Sequence, residues 1–309
     1  MSKYNWFSLI GDFDIKGETI TFKGKNITYL GLDGNEASGS SVGQLISDQY
    51  FGSGIITADI EFKKSIEDIA VEIILFYEPI NKNFINAGLS SALVCSVRSF
   101  INNKWTNYAL AGDRSQLKID QRYLLSVKVK GSKVDLSING IDVLSTYLPY
   151  TLPRGQVGLW CFGRNNIIIR NFKVEYEKPK AFVIMQFSSP YDEIYKSVIE
   201  KICDNLGVEV VLANQKFGPG IVINDITKEI IESNIIIADI TPDNPNVYYE
   251  VGYAHALKKD TILISEEGRK LPFDVSPFRT LFYENTIGGK SKLEEGLEKH
   301  IRAIIEREL

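Results

Sequence analysis

The sequence predicts two domains of different class. Residues 1–176 form an all-β jelly-roll sandwich, residues 177–180 a linker, and residues 181–309 an α/β doubly wound sheet of about five parallel strands. Three observations carry this. A chain of 309 residues fits about two domains. The first half is a succession of short strands with regular turn signals. The second half alternates almost wholly apolar strands with helix-period segments, as a parallel sheet covered on both faces requires.

In the first half, Thr19-Ile20-Thr21-Phe22 opens the pattern, and Ile55 to Phe62 alternates apolar and polar residues at its end, as a half-buried strand does. Val71 to Tyr77 and Leu89 to Val97 are further apolar runs. Tyr123 to Lys130 and Lys133 to Ile138 flank Gly131-Ser132, which predicts a hairpin with a two-residue turn. Asn139-Gly140 predicts a second such turn into Ile141 to Leu144. Val157 to Phe162 and Ile167 to Val174 close the region.

The order Gly54 to Phe62, Tyr123 to Gly140 and Gly155 to Val174 resembles the concanavalin-like, laminin-G-like jelly rolls. That resemblance implies a sensor or assembly role, with a glycan, a protein or a signal ligand as partner. Trp6, Trp105 and Trp160 are candidates to stack on a sugar, though packing within the sandwich is the expected role of each. No dense Asp/Asn cluster points to calcium.

Glu175 to Lys180 is a charged connector containing Pro179, too short for a floppy tether, so the domains are expected to touch. Ala181 to Phe187 then reads as a continuous apolar strand. Ser189 is its helix's expected N-cap and Pro190 the first helical residue; the helix runs from Tyr191 to Asn205 and Gly207 ends it. Val208 to Leu212 is the second strand. Gly218-Pro219-Gly220 leads into a helix from Ile221 to Ser233, and Ile235 to Ile240 is the third strand. Asn244 caps and Pro245 starts the third helix. Thr261 to Ser265 and Thr280 to Tyr283 are the fourth and fifth strands, and Ser291 to Leu309 is a final amphipathic helix.

Composition narrows the function. A formal net charge of -4 argues against a chain built to wrap nucleic acid. Cys95, Cys161 and Cys203 lie far apart, which fits buried thiols in a reducing compartment and gives no metal-ligand spacing. No apolar run is long enough to span a bilayer, and Met1 to Trp6 lacks a signal-peptide layout, so a cytoplasmic protein is expected.

Ligands of doubly wound sheets bind beyond the carboxyl ends of the strands, where strand order reverses. In the flavodoxin-like order 2-1-3-4-5 that crevice lies between the loop Phe187-Ser188-Ser189 and the loop Thr241 to Asn246. Asp239 ends the strand leading into it. Glu250 lies on the face of the third helix shared with Val247, Val251 and Ala254, so its carboxylate is paired, protonated or used. A structural Glu250, a loop-capping Asp239, and turn or cap roles for Asp243 and Asn244 stand as the plain alternatives. His255 and His300 are out of register with these acids, which leaves little basis for His-dependent or metal-dependent chemistry.

Phe182 to Phe187, Gly218 to Ile226, Ile237 to Thr241 and Asn244 to Leu257 together resemble the nucleoside 2-deoxyribosyltransferase-like superfamily, itself similar to TIR-type NAD-cleaving domains. The resemblance covers about residues 180–309. It implies that Glu250 is a nucleophile. Where that family has an acid a few residues earlier, Asn244 stands at the nearest spacing with Asp243 beside it; Asn234 stands where an acid precedes the third strand. A carboxylate suits cleavage of an N-glycosidic bond, where charge develops at the anomeric carbon. With no partnering acid evident, NAD is favoured, because its nicotinamide is cationic and leaves neutral. Asp239 or Asp243 is then expected to hold ribose hydroxyls, and Phe187, Phe217 or Tyr249 to stack on a base. The turn residues Ser188, Gly220, Asn244 and Asn246 are expected to contact substrate. The first expectation is therefore an NAD or nucleotide N-glycosidase, a homo-oligomer without cofactor or metal, resembling bacterial antiviral-defence effectors. A deoxyribosyltransferase or nucleotide hydrolase is the second, and a non-catalytic nucleotide-binding signalling module the third.

Overall fold

A computed structural model describes residues 3–30, 35–66, 68–90, 94–113, 116–189, 191–212 and 222–306. Strands β1 (Trp6–Ile10), β2 (Phe13–Lys16), β3 (Thr19–Phe22), β4 (Asn26–Leu30), β5 (Glu36–Phe51), β6 (Gly54–Phe62), β7 (Ala70–Glu78), β8 (Asn83–Leu89), β9 (Cys95–Ile101), β10 (Lys104–Ala111), β11 (Arg122–Lys130), β12 (Lys133–Ile138), β13 (Ile141–Tyr147), β14 (Gly155–Gly163) and β15 (Ile167–Tyr176) make an antiparallel sandwich. One sheet runs β1-β5-β14-β7-β8-β9-β10, with β4 also on β5; the other runs β13-β12-β11-β6-β15-β3-β2. This is the arrangement the jelly-roll pattern predicts. The inward positions of β6 (Ile56, Ala58, Ile60, Phe62) are fully buried and share one core with Val71, Ile73 and Leu75 of β7. Burial of that apolar surface is the main stabilising term of the sandwich.

The two expected turns are present. Lys130 pairs with Lys133 across Gly131-Ser132, and Ile138 with Ile141 across Asn139-Gly140, where both turn residues have positive φ. Leu89 to Val97 is not one strand: β8 ends at Leu89 and β9 begins at Cys95. The two pair with each other, Leu89 opposite Cys95, so the run covers the end of β8, the connection and the start of β9. The sequence pattern also passes over β10, much of which is exposed, and the length of β5.

Trp105 and Trp160 pack on each other and on one guanidinium. Arg98 lies 4.0 Å from the Trp105 ring centre and 4.8 Å from that of Trp160. It also donates to both oxygens of fully buried Glu72, at 2.8 to 3.0 Å. Ser96 and Asn86 donate to the same carboxylate. These rings are therefore engaged in packing and cation–π contact. Trp6 packs edge-on against Tyr4 and Phe172.

The remaining strands, β16 (Lys180–Ile184), β17 (Glu209–Leu212), β18 (Ile235–Asp239), β19 (Asp260–Glu266) and β20 (Thr280–Tyr283), form a parallel sheet of order β17-β16-β18-β19-β20. Strand order reverses between β16 and β18. Helices α1 (Asp192–Ile194) and α2 (Glu200–Asn205) are joined by a π-helical stretch, Tyr195–Ile199, and cover one face with α5 (Ile287–Ile305). Helices α3 (Val222–Glu232) and α4 (Pro245–Ala256) cover the other. The expected single helix from Tyr191 to Asn205 is broken by the π-helical stretch, and several boundaries differ from expectation. β16 stops at Ile184, because Met185 to Phe187 turn away into the crevice loop. Tyr191, without a side-chain cap, precedes the first helix in place of a Ser189 cap. The last helix begins at Ile287, since Thr286 accepts from the Gly289 amide at 3.0 Å and caps it there. Expected residues Pro190, Phe217, Gly218, Pro219, Gly220 and Ile221 lie outside the described residues, as do 307–309. Among the described residues no helix is long and apolar enough to cross a membrane.

The two parts meet through side chains and backbone. The β11–β12 turn rests on the end of α3: Ser132 donates its amide and hydroxyl to the Ile231 carbonyl, each at 3.2 Å. Lys259 is buried and donates to Ile231 O at 2.6 Å, Ser233 O at 3.0 Å and Thr151 Oγ1 at 3.4 Å. Lys133 of β12 pairs with Glu232 of α3 at 3.6 Å.

Candidate active site

The crevice loops are built as local chemistry dictates. Asn244 is extended, and its side chain accepts from the Asn246 amide at 3.0 Å, with Pro245 opening α4. Tyr248 Oη donates to Asp243 Oδ1 at 2.8 Å. Asn244 Nδ2 reaches Gln186 Oε1 at 3.3 Å, and Gln186 Nε2 donates to Ser188 Oγ at 3.0 Å. Gln186 thus ties the loop after β16 to the loop after β18 across the reversal point. The Thr241–Pro242 peptide is cis.

Glu250 sits on the shoulder of α4, beside Val247, Val251 and Ala254, which pack against Phe182, Ile184 and Ala238. It is half-buried, and no hydrogen bond or ion pair to it occurs among the described residues. Burial alone pushes its carboxyl up to about 7. Among the described residues no group fixes its charge.

Asp239 is different. It is fully buried; Oδ1 accepts from the Thr241 amide at 2.9 Å, and Oδ2 has no partner. Burial pushes it up to about 7, the Thr241 bonds pull it down, and nearby Glu266 adds to the rise. Along β18, Ile235 and Ile237 face the α1/α5 side while Ile236 and Ala238 face the α3/α4 side. Alternation places Asp239 on the α1/α5 side, near Tyr283. The sheet therefore separates Asp239 from the helix that carries Glu250. Contrary to the expectation for it, enclosed Asp239 is not exposed to contact a sugar hydroxyl.

The other candidates are scattered. Phe187 is half-buried against the α1/α5 core, and Asn246 and Tyr249 are exposed, Tyr249 at 61%. His255 stacks on Phe278 at 4.0 Å and burial pulls its pKa down; His300 is exposed and bonds Gly296 O. Neither reaches Glu250. Sequence reasoning missed Gln186, whose signal was a polar residue closing an apolar strand. It also missed Arg269, which donates to Glu266 and lies close enough to Tyr191 and Asp243 to feel their charge. A cavity of about 710 Å³ opens there, lined by Tyr191, Glu266, Arg269, Tyr283 and Lys290. Among the described residues, no group of His, Cys, Asp and Glu is placed to hold a metal ion. Cys95, Cys161 and Cys203 are free and buried.

No protein-family model matches this chain, and no curated protein does. Among solved structures it is similar to the carbohydrate-binding module CBM66 from Bacillus subtilis, at 14% identity and TM-score 0.45, over 56% of this chain and 96% of that one. It is similar also to a prokaryotic β-1,3-1,4-glucanase from a mouse hindgut metagenome, at 11% identity and TM-score 0.37, over 55% and 90%. A third is the CMP N-glycosidase BcmB of Clostridium botulinum, at 21% identity and TM-score 0.31, over 39% and 98%. Values this low carry no inference about activity.

Proposed function

We propose that the chain is an N-glycosidase that cleaves NAD or a related nucleotide, with Glu250 as nucleophile. The observation that carries this is the state of Glu250: half-buried, unpaired among the described residues, and pushed up to about 7 by burial. A carboxylate kept only for structure gains hydrogen-bond partners; one kept for chemistry keeps its lone pairs free. The finer likeness, a flavodoxin-like domain of the deoxyribosyltransferase or TIR kind, rests on the Asn244 to Leu257 string.

The chemistry balances with this one group. An ionised Glu250 oxygen attacks the anomeric carbon, and the C–N bond breaks with its electron pair going to the nicotinamide nitrogen. The cationic ring leaves neutral and requires no general acid. Water then attacks the same carbon and releases ADP-ribose and a proton, and the carboxylate is restored. A neutral base would need protonation as it leaves, which favours NAD. In this reading the sandwich senses or assembles, the chain works as a homo-oligomer, and NAD depletion serves antiviral defence.

The test is to incubate wild type and Glu250→Gln with NAD and with a nucleoside panel, and to quantify free base. Nicotinamide with ADP-ribose supports the reading. A deoxyribosyl product transferred to a second base assigns the protein to the transferases. No release from any compound, at any protein concentration, sinks both.

A further inference from the structure

We infer that the cleft between the two domains is a second ligand site, built for a planar aromatic ring carrying an anionic group. The cavity has a volume of about 440 Å³, a size that holds a mononucleotide-sized ligand. Tyr50, Arg154 and Tyr176 form one wall, from the sandwich; Asn234, Asp260 and Ile304 form the other, from the α/β domain. It opens by the amino ends of β18 and β19, so it is distinct from the crevice at their carboxyl ends.

The charges there do not cancel evenly. Glu177 is held by Lys130 at 3.1 Å and Lys128 at 3.9 Å, and Glu306 by Arg302 at 3.6 Å. Asp260 has a partner and acts on Lys259. Arg154 has no ion pair among the described residues. Its guanidinium lies 6.0 Å from the Tyr50 ring centre and close enough to the Tyr176 hydroxyl to act on its charge. A guanidinium near two phenol rings presents a fork of donors to an anion, and the rings present flat faces to the ring attached to it. The lining also carries the contacts that join the domains. Thr151, on the sandwich side, accepts from Lys259 of the α/β domain. Lys259 in turn holds the end of α3, the helix that follows the segment containing Phe217 and Gly220. A ligand in the cleft therefore touches both domains and the groups that couple them.

The test is amide hydrogen exchange of the full chain with AMP, with adenosine as the ring alone and inorganic phosphate as the anion alone. AMP is expected to slow exchange in 50–53, 151–154, 176–177 and 304–306. Arg154→Ala and Arg154→Gln are each expected to raise the half-saturating AMP concentration about tenfold, the loss of one charge-assisted contact of about 1.4 kcal/mol. Unchanged thermal midpoints in these variants would show that the fold is intact. Protection confined to 241–250, equal protection by adenosine or by phosphate, or no change in either Arg154 variant each overturns the proposal. None of these outcomes depends on whether Glu250 is catalytic.

Discussion

At the scale of single residues, Glu250 dominates. Its carboxyl is pushed up to about 7, so the ionised fraction needed for attack rises about tenfold between pH 6 and pH 8. The cleavage rate at saturating NAD is expected to follow that rise, measured by nicotinamide release. Stability should move the other way. Below the ordinary glutamate range both folded and unfolded chains carry the proton, and Glu250 has no effect. As pH rises towards 7 the unfolded chain gives up its proton first, so the folded state loses stability, and above 7 the full penalty applies. After allowance for solvent screening, that penalty is on the order of 1 kcal/mol. Glu250→Gln should therefore raise the melting temperature at pH 8 and leave it unchanged at pH 4. Little of this was legible in the sequence. Helical spacing put Glu250 on the apolar face, but a one-dimensional pattern does not say which side of a sheet a strand-end acid faces. The expectation of a ribose-binding Asp239 fails for that reason: strand alternation puts it across the sheet from α4.

At the scale of elements, the β11–β12 turn is the most exacting join. Gly131 has φ of +57°, and a Cβ there would lie 2.5 Å from Ile231 O and 2.6 Å from Ser233 O. Gly140, in the next turn, has φ of +79° and nothing within 4 Å. Both alanine substitutions carry the left-handed cost of about 1–2 kcal/mol. Only Gly131→Ala also pushes the sandwich off α3. Denaturant melts should show Gly131→Ala as the more destabilised of the two; equal losses would mean that the interface carries no energy. The two turns were readable because Gly-Ser and Asn-Gly are local signals. The length of β5 was not, because its pairing with β14 is decided far along the chain; β10 was not, although it pairs with adjacent β9, because much of it is exposed. The end of β8 and the start of β9 were merged into one run because Ala92, Leu93 and Val94 continue the apolar pattern between them in the sequence.

At the scale of the whole molecule, two cores of different class are coupled through few, well-placed groups. Lys259 presents three donors to three acceptors from both domains, although burial pulls its pKa down to about 7. Lys259→Met leaves the Ser233 carbonyl short of a donor, while Ser132 still donates to Ile231 O, and is expected to cost about 1–3 kcal/mol in a denaturant melt. The change from alternating strands to strand–helix units was visible along the chain because burial on one face or on two leaves different periods in the sequence. The domain interface was not, since it rests on a lysine after α4 and a glycine turn, neither of which departs from its local pattern. The central claim turns on one measurement: nicotinamide released from NAD by the intact chain at pH 8, wild type against Glu250→Gln. The account predicts release by wild type and a loss of at least ~100-fold in the variant, the scale of removing a group that acts in the transition state. Equal release by both proteins would contradict it.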